Sequence, residues 1–547
     1  MIKQGCFFLI SLTILLALAC LVSGCQGRED PIQAKELVFR IGSPMTLRRI
    51  NPLADYGYST LAMLMTHDTL VRFDQNLSPV PQLASAWSTN ENATVWTFTL
   101  TDNAKWHDGV PVTPDDIAFT FRYLAETHVS GYSWIDQLIS DIDINGQEIV
   151  FHLTKPYSRF LSQAGYIVRI LPQHVWENVK DPKKAEGESL TMGCGPFIFE
   201  SFDPHANQVH FKKNPDYYLG APLVDKVVYA FYKNQDVLTM ALANGEVDAF
   251  YKYASGYPPG KATRLKNQPN LTIAQAASLG VPAALGFNPH AELTKDLRIR
   301  QAISLAINYN RIGQSLAMGE GRLPGPGFVP PSFPAYADIP AFETNLTKSK
   351  ALLAEAGLAD ADGDGFLENS QGDPVSLKLI SRSDLFGDEQ VTKLLMHDLN
   401  KVGLKLEIMS ADLSTWMAKL NGDDYHLVLF RATPWGMLMG AGYGTGYFDS
   451  RTKGSGRLSS MDDPSFHALC DEILATTDPD RLKILYGQVQ EHYADNLPAL
   501  ALFWADNIYP YSSDWEGLVI NQIEGGLANR LTWKSLRKKS ISGEITP

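Results

Sequence analysis

Two hydrophobic periods alternate along this chain, and their alternation limits the fold more than any single motif does. Val95-Trp96-Thr97-Phe98-Thr99-Leu100 is apolar at every second residue, the period of a half-buried strand. Val38-Phe39-Arg40-Ile41 reads as an opening strand. Val375, Leu377 and Leu379, then Leu404, Leu406 and Ile408, then the apolar run 425–430, read as later ones. Helical signals lie between them. Thr113-Pro114-Asp115-Asp116 offers an N-cap, a proline for the first turn and acids at the positive helix end, ahead of Ile117, Phe121 and Leu124. Asp296 caps a helix with Ile299, Ile303, Ala306 and Ile307 on one face. Thr347 is the expected cap of a helix stopped by Gly357, a further helix spans Val391 to Val402, and Asp478-Pro479 starts another. Strands and helices in alternation mean an α/β architecture. Lys105-Trp106-His107 is expected to run as a short strand into a tight turn at Asp108-Gly109.

The chain has 547 residues, enough for about three or four domain-sized units. With 45% hydrophobic and 20% charged residues it is neither disordered nor a polytopic membrane protein. Its net charge of −13, with no basic block, argues against nucleic acid as a partner. There is no clear internal repeat.

Only the amino terminus is strongly apolar. Lys3 precedes an apolar run from Phe7 to Val22, and Leu21-Val22-Ser23-Gly24-Cys25 resembles a bacterial lipobox. The expectation is a signal peptide at 1–24, lipid on Cys25 and a polar tether over 25–37. Cleavage leaves Cys25, Cys194 and Cys470, too few for a disulfide framework and not spaced as a zinc site. Cys194 and Cys470 read as small buried residues, with their pairing open.

Catalytic patterns are absent. There is no G-x-S-x-G elbow, no H-E-x-x-H helix and no Walker loop, and the 12 histidines are scattered. His107, beside a turn, reads as structural. No enzyme and no required cofactor are expected. Asp360, Asp362, Asp364 and Glu368, with Gly365 at the bend, match the first half of an EF-hand loop, but its twelfth position is Gln371. The pattern reads either as a structural Ca2+ site or as an Asp/Gly-rich turn after Gly357.

Several segments together resemble family 5 extracellular solute-binding proteins, the oligopeptide-, dipeptide- and nickel-binding subunits of ABC importers. They are Pro81-Gln82-Leu83-Ala84-Ser85-Ala86-Trp87, the strand 95–100, and Lys105-Trp106-His107-Asp108-Gly109-Val110-Pro111-Val112-Thr113-Pro114-Asp115-Asp116. Gly193-Cys194-Gly195-Pro196, Asn214-Pro215-Asp216-Tyr217-Tyr218, Arg298-Ile299-Arg300-Gln301-Ala302 and Leu497-Pro498-Ala499-Leu500 continue the likeness in order. The resemblance implies a two-lobed, periplasmic-binding-protein-like (type II) fold. Lobe one would comprise 38–75, 190–282 and 505–540. An inserted subdomain would span 76–189, and lobe two 283–504. It further implies a monomer exported across the cytoplasmic membrane and lipid-anchored, periplasmic or at the cell surface. The protein would close on a short peptide and deliver it to a membrane permease with a cytoplasmic ATPase. The alternatives are a nickel or other metal chelate, another small carboxylated solute, or a ligand-sensing receptor without import.

In peptide-binding relatives a Trp near the end of a second-lobe strand is followed by an Asp that pairs with the peptide's ammonium group. Trp435 takes the Trp place here, but no acid occurs from Met437 to Gly446. That absence weakens the peptide reading. Arg431 offers a forked cation to a ligand carboxylate, or equally to an ion pair on the lobe surface. The other candidate ligand contacts are Met437 of lobe two, which reads equally as packing, and Tyr56 and Tyr58 of lobe one with Trp134 of the inserted subdomain, which read equally as core or rim aromatics.

Overall fold

A computed structural model describes residues 36–539, except 46, 130, 253–255, 263, 318–320, 326, 341–342, 386, 440–442 and 453–457; at 56, 260, 435, 438 and 439 it describes the backbone alone. The expected signal segment, Cys25 and nearly all of the tether lie outside the described residues. The chain divides into Met1–Leu37 and one compact unit, Val38–Pro547. Among the described residues no helix is long and apolar enough to cross a membrane.

Three sheets organise the compact unit. The first has seven strands, in the order Leu271–Ala277, Asp506–Ser512, Ala249–Phe250, Val38–Ser43, Lys226–Phe231, Gln208–Lys213 and Phe197–Asp203. Val38–Ser43 runs parallel to both its neighbours, and the remaining pairs are antiparallel. This sheet therefore gathers strands from the beginning, the middle and the end of the chain. The second sheet has five strands, in the order Lys405–Ala411, Ser376–Arg382, Leu427–Ala432, Val281–Phe287 and Ala499–Ala501. The first three are parallel, so their carboxyl ends share one edge of the lobe. The third sheet is antiparallel and drawn from one stretch: Ala84–Thr89, Val95–Leu100, Glu148–Leu153 and Ile139–Asn145.

The chain passes twice between the first and second sheets. Leu271–Ala277 leads into Val281–Phe287, and Ala499–Ala501 leads into Asp506–Ser512. Ala277 pairs with Asp506 on one side, Ala284 with Ala501 on the other, and Leu502 N–H donates to the Ala283 carbonyl at 2.9 Å. The two crossings thus run side by side.

Local chemistry explains the elements. Trp96, Phe98 and Leu100 are buried, and Phe98 meets Phe151 edge-on at 5.8 Å. The helix Pro114–Glu126 follows Thr113, whose N–H donates to the Asp116 carboxylate at 2.9 Å. Asp296 and Asp478 cap Leu297–Ala306 and Pro479–Asn496 as expected. The cap expected at Thr347 is instead Asn345, whose side chain accepts the Lys348 N–H at 2.9 Å. An Asn two residues upstream reaches that orphan donor first. Gly357, at φ +85°, ends that helix region. Lys105-Trp106-His107 is not a full strand; a single bridge, Lys105 to Pro111, closes the Asp108-Gly109 turn, with Gly109 at φ +90°.

Candidate ligand-binding cleft

A cavity of about 1000 Å3 is lined by residues of both large sheets. Its floor is the pair of crossings, through Ser278, Gly280, Ala505 and Asn507. Gly280 is required there: a Cβ would lie 2.5 Å from the Ala432 carbonyl and 2.9 Å from the Pro434 ring. The second-lobe wall uses the carboxyl ends of parallel strands, where α/β sheets commonly place ligands. Arg382 ends Ser376–Arg382, and Arg431 stands next to last in Leu427–Ala432. Leu413, Trp416 and Met417, on the helix Leu413–Asn421, add an apolar surface. From the first lobe come Arg48, Arg49, Asp55 and Lys252.

The lining is cationic. Arg48, Arg49, Lys252, Arg382 and Arg431 face two acids, Asp55 and Asp506. Both acids are engaged. Asp55 caps the helix Tyr56–Met65, accepting the Tyr58 N–H at 2.9 Å, and Asp506 pairs with Arg322 at 2.7 Å. Behind the wall, Asp388 accepts from Arg431 at 2.6 Å. Burial pushes the Asp388 pKa up, and the Arg431 charge opposes that shift. Arg382 donates from Nε to Asp384 at 2.6 Å, which holds the Asp384 carboxyl below its usual range.

The residues singled out from sequence separate here. Arg431 lines the cavity and is also one half of an ion pair. Trp435 lies in the short helix Pro434–Met439 beside the cavity-lining Pro434, and Tyr56 begins a helix between Asp55 and Gly57, which both line it. Three others are outside the lining. Tyr58 is wholly buried, meeting Phe199 edge-on at 6.2 Å, because two residues along a helix turn the side chain towards the core. Met437 is wholly buried in the hydrophobic core. Trp134 packs half-buried against the core around the third sheet. Lys252, Arg382 and Trp416 were not anticipated. The strand-end position of Arg382 was a usable signal; nothing local marks Lys252.

Asp360, Asp362 and Glu368 bring one carboxylate oxygen each within 4.8 Å of one another; Asp364 is not in that group. Their side chains also close the loop, accepting N–H groups of Gly363, Asp364 and Ala361 at 2.8, 3.0 and 2.7 Å. Three converging carboxylates suit a hard cation, which takes six to eight oxygens. Cys194 and Cys470 are both buried and unpaired with each other.

Residues 78–454 match the family described as bacterial extracellular solute-binding proteins, family 5 Middle. The oligopeptide-binding protein AppA of Bacillus subtilis is 26% identical over 435 residues, covering 76% of this chain and 78% of that protein. The dipeptide-binding protein of Escherichia coli is 23% identical over 519 residues, covering 90% and 93%. The crystal structure of NikZ from Campylobacter jejuni in complex with Ni(L-His) superposes with a TM-score of 0.75 at 21% identity, covering 92% of this chain and 99% of that one.

Proposed function

Because the chain belongs to family 5 of the bacterial extracellular solute-binding proteins, we propose that its cleft captures a small solute by lobe closure and delivers it to an ABC importer. It is a binding protein, not an enzyme. One observation carries the reading: a single cavity is walled by both lobe sheets and floored by two side-by-side crossings. A ligand there gains contacts with both lobes only when they approach, so its binding energy favours the closed state. A membrane permease with its cytoplasmic ATPase is the partner that reads this shape.

Two ligand classes have support. The names of the oligopeptide- and dipeptide-binding relatives favour a short peptide. The lining favours a carboxylated solute or a metal chelate, since five cations there meet two acids, each of which already accepts a hydrogen bond. Titration calorimetry with a tripeptide and with nickel–histidine separates them. Saturable one-to-one binding of either selects a peptide or a chelate, and binding of neither contradicts those two and leaves a carboxylated solute, for which a dicarboxylate is the probe.

Lipid on Cys25 anchors the protein outside the cytoplasmic membrane in this reading. Cys25→Ser then releases it in soluble form, and retention in the membrane fraction would exclude the anchor. A structural calcium ion belongs at Asp360, Asp362 and Glu368. Calcium is expected to raise the melting temperature of chelator-treated protein, and Asp362→Asn to abolish that rise. Equal melting with calcium and with chelator would leave the loop a plain turn.

A further inference from the structure

Lys252 differs from the other cations of the cleft. It follows the strand Ala249–Phe250 of the first sheet, yet the charges acting on it belong to the second lobe: Arg431, Arg382 and Asp384. The two guanidinium groups already have carboxylates, Asp388 for Arg431 and Asp384 for Arg382. Among the described residues Lys252 makes no hydrogen bond and no ion pair of its own. Burial, then the two arginines, pull its pKa below the usual lysine range, and only Asp384 opposes them. Lys252, Arg382 and Arg431 line one cavity, and with Asp384 and Asp388 paired to the two arginines the cluster keeps one net positive charge there, which costs energy until an anion joins it.

We propose that Lys252 receives an anionic group of the bound solute, which bridges it to Arg431 and Arg382 of the opposite lobe. This rests on the solute-binding reading above and narrows its ligand to a carboxylated class. The solute's anion neutralises charge shared by both lobes, so closure depends on it. Its body lies against Trp416, Met417 and Leu413. A solute that brings an ammonium group to this place meets repulsion instead.

Three matched probes test the assignment: an N-succinyl dipeptide with a free carboxyl end, the same dipeptide with both ends free, and its N-acetyl amide. The expected order of affinity is dianion first, with the zwitterion and the neutral form at least about tenfold weaker. Lys252→Gln should weaken the dianion by a similar factor, whereas Lys252→Arg should retain it. Without ligand, Lys252→Gln should melt no lower than the parent, because it removes a repelled charge. That readout separates a ligand role from a structural one. Equal affinity of Lys252→Gln for the dianion, or preference for the zwitterion, overturns the assignment and leaves the solute-binding reading standing. Failure of all three probes at millimolar concentration overturns the assignment too. If no solute copurifies with the protein either, the solute-binding reading falls with it.

Discussion

Arg431 both lines the cleft and pairs with Asp388, and the proposed ligand contact can be separated from the ion pair. Its partner Asp388 is buried, with a side chain only 2% exposed. Arg431→Met therefore strands a carboxylate and should cost on the order of 3 kcal/mol, measured by denaturant unfolding. The double variant Arg431→Met/Asp388→Leu should recover most of that stability but not ligand affinity. His107 gives a second handle. Its Nε2 contacts the Gly195 carbonyl at 3.1 Å, and its Nδ1 accepts the Gly193 N–H at 3.3 Å, so the ring is needed neutral. Burial lowers its pKa to about 4. The unfolded chain takes up that proton near pH 6.5, earlier than the folded one, so stability is lost as pH falls between those values. Relative to His107→Asn, the parent should lose melting temperature as pH falls from about 6.5 to about 4; parallel profiles would contradict this. At this scale the sequence was partly legible. Arg431 was visible as a strand-end cation. For Tyr58 and Met437 the cleft and core readings stayed open, because nearness along the chain does not fix the direction of a helical side chain. Lys252 was invisible because only the folded sheet brings it opposite Arg431.

Caps and turns behave as local chemistry dictates, since an N-cap needs only a side chain and an N–H two or three residues apart. That is why the helices after Asp296 and Asp478 start where the sequence places them, and why the one misplaced cap moved only from Thr347 to Asn345. The segment Gly193-Cys194-Gly195-Pro196 is legible for another reason. It passes against the carboxyl end of the helix Tyr56–Met65, where Gly195 N–H donates to the Thr66 carbonyl at 2.8 Å. A Cβ on Gly193 would fall on that same carbonyl, and one on Gly195 would lie 2.7 Å from the Met65 carbonyl. Backbone cannot yield as a side-chain tip can, so Gly193→Ala should cost about 1–3 kcal/mol of unfolding free energy. Gly220→Ala is a poor control because Gly220 has a positive φ; Gly487→Ala, with open space at its Cβ, should cost far less. Equal losses at 193 and 487 would refute the close approach.

Over the whole molecule, periodicity announced α/β elements but could not say which strands share a sheet. Val38–Ser43 pairs with Lys226–Phe231, almost two hundred residues away, and no local pattern encodes such a partner. Family likeness supplied that level. The segment after the third sheet touches the helices Pro464–Ala475 and Pro479–Asn496, through Ser158 Oγ donating to the Ile473 carbonyl at 2.9 Å and Arg159 lying 5.2 Å from the centre of the Tyr486 ring. The crossings at Ala277–Val281 and Ala501–Asp506 run side by side, with the cavity beside them. Capture between lobes is thus the central claim, and the contents of the cleft test it most directly. The protein without its lipid anchor is purified natively, denatured, and the released small molecules are identified by mass spectrometry. The account predicts one chemical class of small solute, approaching one molecule per chain and bearing a carboxylate. Protein that carries no solute, and that neither tripeptide, nickel–histidine nor succinyl dipeptide stabilises, would contradict it.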